Sequence, residues 1–194
     1  MMRVNEIFHS LQGEGFHAGE AAVFVRLSGC NLRCPFCDTD HEAGTLMTEE
    51  AIVSATLGYP AHLVVVTGGE PALQLTPSLV DALHEAGKLV AVETNGTRPL
   101  PQQVDWVTLS PKDVFLGPQA TPVLTRADEL KVLFDGEHAP LEYTHIAVSH
   151  RFLQPMDCGD AVRNARITAA TVAYIAAHPQ WRLSLQIHKM INIK

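Results

Sequence analysis

A chain of 194 residues with 46% hydrophobic content can bury one compact core and is short for two, so a single domain over residues 1–194 is expected. Its formal net charge of −7 argues against a surface built to hold nucleic-acid phosphates, which needs clustered Lys and Arg. No segment approaches the ~20 apolar residues that span a bilayer, and the start Met1-Met2-Arg3-Val4-Asn5-Glu6 lacks the apolar run of a secretory leader. A reducing, cytoplasmic setting with no membrane partner is therefore expected.

Apolar runs and helical patterns alternate along the chain, as in βα units around a parallel sheet. The first expected strand is Ala22 to Ser28. A helix should start at Thr48, whose hydroxyl can cap the first turn while Glu49 and Glu50 complement the helix dipole, with Ile52, Val53 and Leu57 facing inward. Strand Leu63 to Thr67 is almost wholly apolar, as a strand covered on both faces should be. The next helix has Thr76 as N-cap and Pro77 at its first position, with Leu79, Val80, Leu83 and Ala86 on one face and Gly87 at its end. Strands follow at Leu89 to Glu93, Val104 to Ser110, Glu129 to Phe134 and Ile146 to Ser149, with loops at Gly117 to Thr125 and Gly136 to Leu141. An alanine-rich helix from Asp160 to His178 is closed by Pro179, and a last strand is expected from Arg182 to His188.

Three good helices beside six or seven strands are too few for a closed (βα)8 barrel, so the expected fold is α/β, an incomplete TIM-like βα barrel with a reduced number of helices. Ser28, Thr67, Glu93, Thr94, Asn95, Ser110 and His188 fall at or just past C-terminal strand ends, the edge at which such folds bind ligands.

Between the first strand and first helix lies Gly29-Cys30-Asn31-Leu32-Arg33-Cys34-Pro35-Phe36-Cys37-Asp38-Thr39, which places three of the four cysteines in the pattern CxxxCxxC. Three thiolates can hold a four-iron cluster and leave one iron open to a reactant. The same cysteines with His41 could instead make a Cys3His zinc site. Disulfides are disfavoured because Cys158 is remote; it reads as a small buried apolar residue. Strand Leu63 to Thr67 runs into Gly68-Gly69-Glu70-Pro71, where the missing side chains free the backbone to approach a ligand.

The cysteine loop after one strand and the GGEP turn after the next resemble the radical S-adenosylmethionine superfamily. Glu6-Ile7-Phe8-His9-Ser10-Leu11-Gln12-Gly13-Glu14-Gly15 further resembles the EIFxSxQGEG signature of the 7-carboxy-7-deazaguanine synthase family. Arg26, Cys37-Asp38-Thr39, Glu93-Thr94-Asn95-Gly96, Ser110-Pro111-Lys112, Gln154-Pro155-Met156-Asp157 and Leu185-Gln186-Ile187-His188-Lys189 extend the likeness from end to end. The resemblance implies ring contraction of 6-carboxy-5,6,7,8-tetrahydropterin to 7-carboxy-7-deazaguanine with loss of ammonia, within queuosine biosynthesis. It also implies a 4Fe-4S cluster on Cys30, Cys34 and Cys37, S-adenosyl-L-methionine, Mg2+, an electron donor such as flavodoxin, and a homodimer.

Carried over residue by residue, the resemblance implies substrate contacts at Leu11, Gln12, Gly13, Glu14, Arg26, Thr67 and His188. S-adenosylmethionine contacts are implied at Phe36, Cys37, Asp38, Gly69, Ser110, Pro111, Lys112, Gln154, Pro155, Met156 and Asp157, and a magnesium ligand at Thr39. The types fit: a carboxylate suits the guanidinium of Arg26, and a pterin edge suits paired amide donors and acceptors. Two other readings stay open. One is an activase that installs a glycyl radical on a partner protein, against which the QGEG segment argues; the other is a non-catalytic iron-sulfur or zinc module, for which GGEP would be idle. The chain departs from the family in its short spacing from Thr39 to Thr48 and in a tail that ends in Lys194.

Overall fold

In the computed structural model, which describes all 194 residues, one sheet of nine strands carries the fold. In chain order the strands are β1 (Met2–Leu11), β2 (Ala21–Leu27), β3 (Thr45–Met47), β4 (Leu63–Gly68), β5 (Leu89–Thr94), β6 (Trp106–Leu109), β7 (Arg126–Phe134), β8 (Ala147–Pro155) and β9 (Arg182–Leu183). Across the sheet they lie in the order β3-β1-β2-β4-β5-β6-β7-β8-β9. From β2 to β9 every pairing is parallel, while β1 runs antiparallel to both of its neighbours. The short strands β3 and β9 form the two edges, so the barrel does not close.

The helices are α1 (Glu49–Leu57), α2 (Pro77–Glu85), α3 (Asp113–Leu116), α4 (Ala161–Ala177) and α5 (Ile187–Met190). Two of the three expected ones begin at their predicted caps, and the third is capped by Asp160, the first residue of its expected span. Thr48 Oγ1 accepts from the Ala51 N–H at 3.2 Å, Thr76 Oγ1 from Leu79 at 3.2 Å, and Asp160 Oδ1 from Arg163 at 2.7 Å. These bonds satisfy N–H groups that the first turn leaves without partners.

Each parallel strand serves two environments because successive side chains point to opposite faces. Val23, Val25, Leu27, Val64, Val66, Val90 and Val92 face outward and pack with Ile52, Leu79, Val80 and Leu83 of α1 and α2. Leu130, Val132, Phe134 and Leu153 do the same further along, in one cluster with Trp181. Facing inward, Ala22, Phe24, Leu63, Val65 and Ala91 make a smaller apolar floor, which Phe8, Leu89 and Trp106 extend. Above that floor the inward positions turn polar.

Several local expectations are corrected. Strand β1 was not anticipated, because Glu6, Phe8 and Ser10 alternate with Ile7 and His9 without an apolar period; its mixed face lines a cavity rather than a core. The edge strand β3 is three residues long and equally unmarked. The strand expected from Arg182 to His188 pairs only at Arg182 and Leu183. Past β9 there is no further strand to follow, and the Ile187 N–H bonds Gly13 O at 3.0 Å, which draws the chain across the barrel end into α5. The strand expected at Ile146 to Ser149 continues to Pro155, and Val104 to Ser110 contracts to Trp106–Leu109. On α1 the inward residue is Thr56, one turn from Ile52, while Leu57 is exposed. Cys158 is half-buried beside α4, and its N–H donates to Asn164 Oδ1 at 2.9 Å.

Candidate active site

A cavity of about 550 Å³ opens at the C-terminal ends of the parallel strands. The loop after β2 brings Cys30, Cys34 and Cys37 to its wall as free thiols, the first two half-buried and the third exposed. The Leu32 N–H points at Cys30 Sγ, 3.4 Å away, and the Cys37 N–H bonds Cys34 O at 3.1 Å. Burial pushes the thiols of Cys30 and Cys34 up, so in the free protein they hold their protons.

The glycine pair after β4 lets this loop dock. Gly68 has φ of 125°, a conformation open to glycine, and a Cβ on either Gly68 or Gly69 would strike the backbone of Leu27 or Gly29. The Gly69 N–H bonds Leu27 O at 3.0 Å and the Glu70 N–H bonds Gly29 O at 2.8 Å, which leaves the Gly69 carbonyl to accept from a ligand. Glu70 itself is buried and acts as a strut, accepting from Ala72 N at 3.0 Å, Thr94 Oγ1 at 2.6 Å and Asn95 N at 2.7 Å.

Inside the cavity, Arg26 Nε donates to Glu6 Oε1 at 3.0 Å and its Nη1 to Thr39 Oγ1 at 3.4 Å. The other oxygen of Glu6 pairs with Lys194 Nζ. Phe8 and Phe24 stack at 4.9 Å next to this group, with the Arg26 guanidinium 5.8 Å from the Phe8 centroid. A second polar group gathers around Glu93. Thr67 Oγ1 donates to its Oε2 at 2.8 Å, Gln12 Nε2 to its Oε1 at 3.2 Å, and Lys131 Nζ lies 3.4 Å from Oε1. Lys131 also pairs with Glu14, whose other oxygen accepts from Gln186 Nε2 at 2.9 Å. Although burial opposes it, the charge and hydrogen bond of Lys131 hold the Glu14 carboxyl down at about 2.

The C-terminal segment closes one side of the opening. Lys189 Nζ bridges Asp38 Oδ2 at 2.8 Å and Asp157 Oδ2 at 2.9 Å, tying the cysteine loop to the end of β8. His188 packs on Gly13, where a Cβ would meet its ring. Lys112 Nζ donates to Ser110 O at 2.6 Å and Ser110 Oγ at 2.7 Å, and burial brings its pKa down to about 8.

Leu11, Gln12, Gly13, Glu14, Arg26, Phe36, Asp38, Thr39, Thr67, Gly69, Ser110, Lys112, Gln154, Met156, Asp157 and His188 all line this cavity with the three cysteines. Pro111 and Pro155 do not: Pro111 is buried behind Ser110, and Pro155 ends β8 with its neighbours Gln154 and Met156 at the cavity. Of the polar strand-end residues, Ser28 turns away to bond Ala43 O. Glu6, Lys131, Gln186, Lys189 and Lys194 are cavity residues to which no contact was assigned from the sequence. For Lys131 a signal existed: Glu129, Lys131 and Leu133 share one face of β7, so two charges at i and i+2 in its otherwise apolar half from 129 to 134 mark a polar inner face.

No three His, Cys, Asp or Glu side chains close on a position for a single ion, the close tetrahedral grouping that a zinc site has. Three thiols on one cavity wall fit a four-iron cluster, in which each thiolate binds a different iron.

The Radical SAM superfamily model matches residues 24–122. The chain is 53% identical to a 7-carboxy-7-deazaguanine synthase of Bacteroides thetaiotaomicron, over all of both chains. It is 45% identical to the enzyme of the same name from Bordetella pertussis, over 98% of each. Among solved structures it resembles QueE from Escherichia coli, with a TM-score of 0.75, 29% identity, and coverage of 96% of this chain and 94% of that one.

Proposed function

The chain belongs to the 7-carboxy-7-deazaguanine synthase family of the radical SAM superfamily, and from that membership we propose that it contracts 6-carboxy-5,6,7,8-tetrahydropterin to 7-carboxy-7-deazaguanine with release of ammonia. The observation that carries this reading is the polarity of one cavity. It has thiols on its wall, the cation of Arg26 in one polar group, and the acceptors Glu14 and Glu93 in another. A carboxylated pterin has the matching polarity, an anion at one end and a row of N–H donors at the other.

Arg26 takes the substrate carboxylate in place of Glu6, which keeps Lys194 as a second partner when displaced. Glu14, Glu93 and the amide of Gln12 accept from the ring N–H groups, and Thr67 steadies Glu93. The Gly69 carbonyl accepts from the ammonium of S-adenosylmethionine, with Phe36, Asp38, Ser110, Lys112, Gln154, Met156 and Asp157 along the same cavity. The chemistry that Cys30, Cys34 and Cys37 would bring in with a 4Fe-4S cluster is one-electron cleavage of S-adenosylmethionine and hydrogen abstraction from the substrate. The Lys189 bridge ties down one side of the opening, and the Phe8–Phe24 stack gives the ring an apolar surface beside Arg26.

Thr39 is the proposed magnesium ligand. A dication there would lie beside the Arg26 guanidinium, so the two are compatible only with an anion between them, and the substrate carboxylate supplies it. Magnesium suits a site with one protein oxygen because it keeps waters and substrate oxygens. A flavodoxin-type electron donor, a homodimer, a single domain over residues 1–194 and a reducing cytoplasmic setting complete the proposal, the last because three thiolates must stay reduced. No helix is long and apolar enough to cross a membrane.

The test is an anaerobic assay with the tetrahydropterin carboxylate, S-adenosylmethionine, reductant and magnesium, in which 7-carboxy-7-deazaguanine should appear. A colourless, zinc-loaded protein that never cleaves S-adenosylmethionine would sink the reading.

A further inference from the structure

Lys131 sits on the inner face of β7 with a side chain 7% exposed, a depth at which lysine is retained only when paired. Its two carboxylate partners come from distant parts of the chain, Glu14 from the loop after β1 and Glu93 from β5. Nothing in the local backbone holds those carboxylates together. Their other hydrogen-bond partners are neutral, Gln186 and Gln154 on Glu14 and Gln12 Nε2 and Thr67 Oγ1 on Glu93, while the charges of Lys112 and Asp38 reach Glu14 with opposite signs and no hydrogen bond. Two other titratable groups act on the ammonium. Glu129 lies two residues back on the same face, and burial pushes its carboxyl up toward the neutral form; Lys112, at the same cavity, is repelled by Lys131. In a low-dielectric wall the buried Glu14 carboxylate, deprived of this cation, is pushed toward its protonated form by burial.

We propose that Lys131 is a positioning residue which holds Glu14 and Glu93 in place as acceptors and keeps Glu14 ionised, so that the site selects a ring edge with two N–H donors, as in a 2-amino-4-oxopyrimidine. This rests on the reading of the cavity as a pterin site. A proton on Glu14 would turn an acceptor into a donor facing the ring N–H groups, leaving two donors opposed in a partly buried site.

The experiment compares Lys131→Met, which keeps length without charge, with Lys131→Arg, which keeps charge. Binding of pterin-6-carboxylate, which cannot turn over, is followed by fluorescence between about pH 5.5 and 7.5, a window above ordinary carboxylate pKa values. Infrared spectra of both variants and the native protein, all in a Glu129→Gln background, record as differences from native whether a further protonated carboxylic acid forms. Lys131→Met should show the acid band, bind at least about tenfold more weakly, and weaken further as pH falls, one raised carboxyl pKa unit being tenfold. Lys131→Arg should add no acid band to that of the native protein and keep its flat profile. Native-like, pH-independent binding by Lys131→Met without an acid band overturns the proposal, as does an equal, pH-flat loss in both variants. Should Lys131→Met not fold, Lys131→Met/Glu14→Gln removes one charge of each sign; a flat binding profile is expected, and a steep one overturns the proposal. The infrared comparison needs neither ligand nor turnover, so native protein that makes no product counts against the reaction alone.

Discussion

The outer and inner faces of the same strands follow different rules. On β4, Val64 and Val66 point out into the core against α1 and α2, whereas Val65 and Thr67 point in, toward floor and cavity. On β7, Leu130 and Val132 are core and Lys131 between them is a paired cation. The outer face obeys a rule of area: each fully buried Leu or Val contributes roughly 1.5–3 kcal/mol, and similar residues can exchange at modest cost. The inner face obeys a rule of complementarity, in which one charge determines the protonation of its neighbours. Stability and function are thus carried on alternate residues of one sheet, and substitutions on the two faces should separate.

The largest expected effect is at the thiols. Cys34→Ala should lose all turnover and the brown absorbance of a reconstituted cluster, with melting of the metal-free protein unchanged, because the thiol makes no packing contact that α1 or α2 depends on. Next, Leu79→Ala on the outer face should cost about 2–5 kcal/mol by denaturant unfolding, while KM for the pterin stays native in the folded fraction. If KM rose with it, the separation of faces would be wrong. Arg26→Lys inverts that pattern. Stability should hold within about 0.5 kcal/mol, and KM should rise by about tenfold to a hundredfold, because a lysine cannot grip a carboxylate with two donors.

Thr39→Ala should slow turnover with the cluster absorbance intact, and its magnesium dependence should weaken; an unchanged dependence removes Thr39 as the ligand. The smallest effect is at the opening. Lys189→Met should cost about 0.5 kcal/mol for each exposed pair, and its sign with pH is fixed. Although burial of Asp38 opposes the trend, the hydrogen bonds of Lys189 hold the carboxyls of Asp38 and Asp157 below their usual range. Their contribution is therefore complete above the ordinary carboxylate pKa and lost as pH falls through the lowered values. Native protein should lose more stability on acidification than Lys189→Met, measured by unfolding at descending pH.

Much of this was legible in the chain. CxxxCxxC, GGEP and QGEG are local, because a cluster, a close backbone approach and a tight loop each demand particular residues a few positions apart. The caps at Thr48 and Thr76 were legible for the same reason. Strand β1 was not, since its half-polar alternation acquires meaning only once one face is known to line a cavity. Nor was the end of β9, where a contact between Ile187 and Gly13 decides that the chain leaves the sheet.

By itself the sequence determined the cysteine loop, the glycine turn, the three capped helices and the open βα architecture, all of which rest on contacts within a few residues or on hydrophobic period. Only the tertiary structure decided that Glu14, Glu93 and Lys131 meet, and that Lys189 joins Asp38 to Asp157 across the opening. Those partners stand far apart in the chain, and the charge of each matters only through the low-dielectric space it shares with the others.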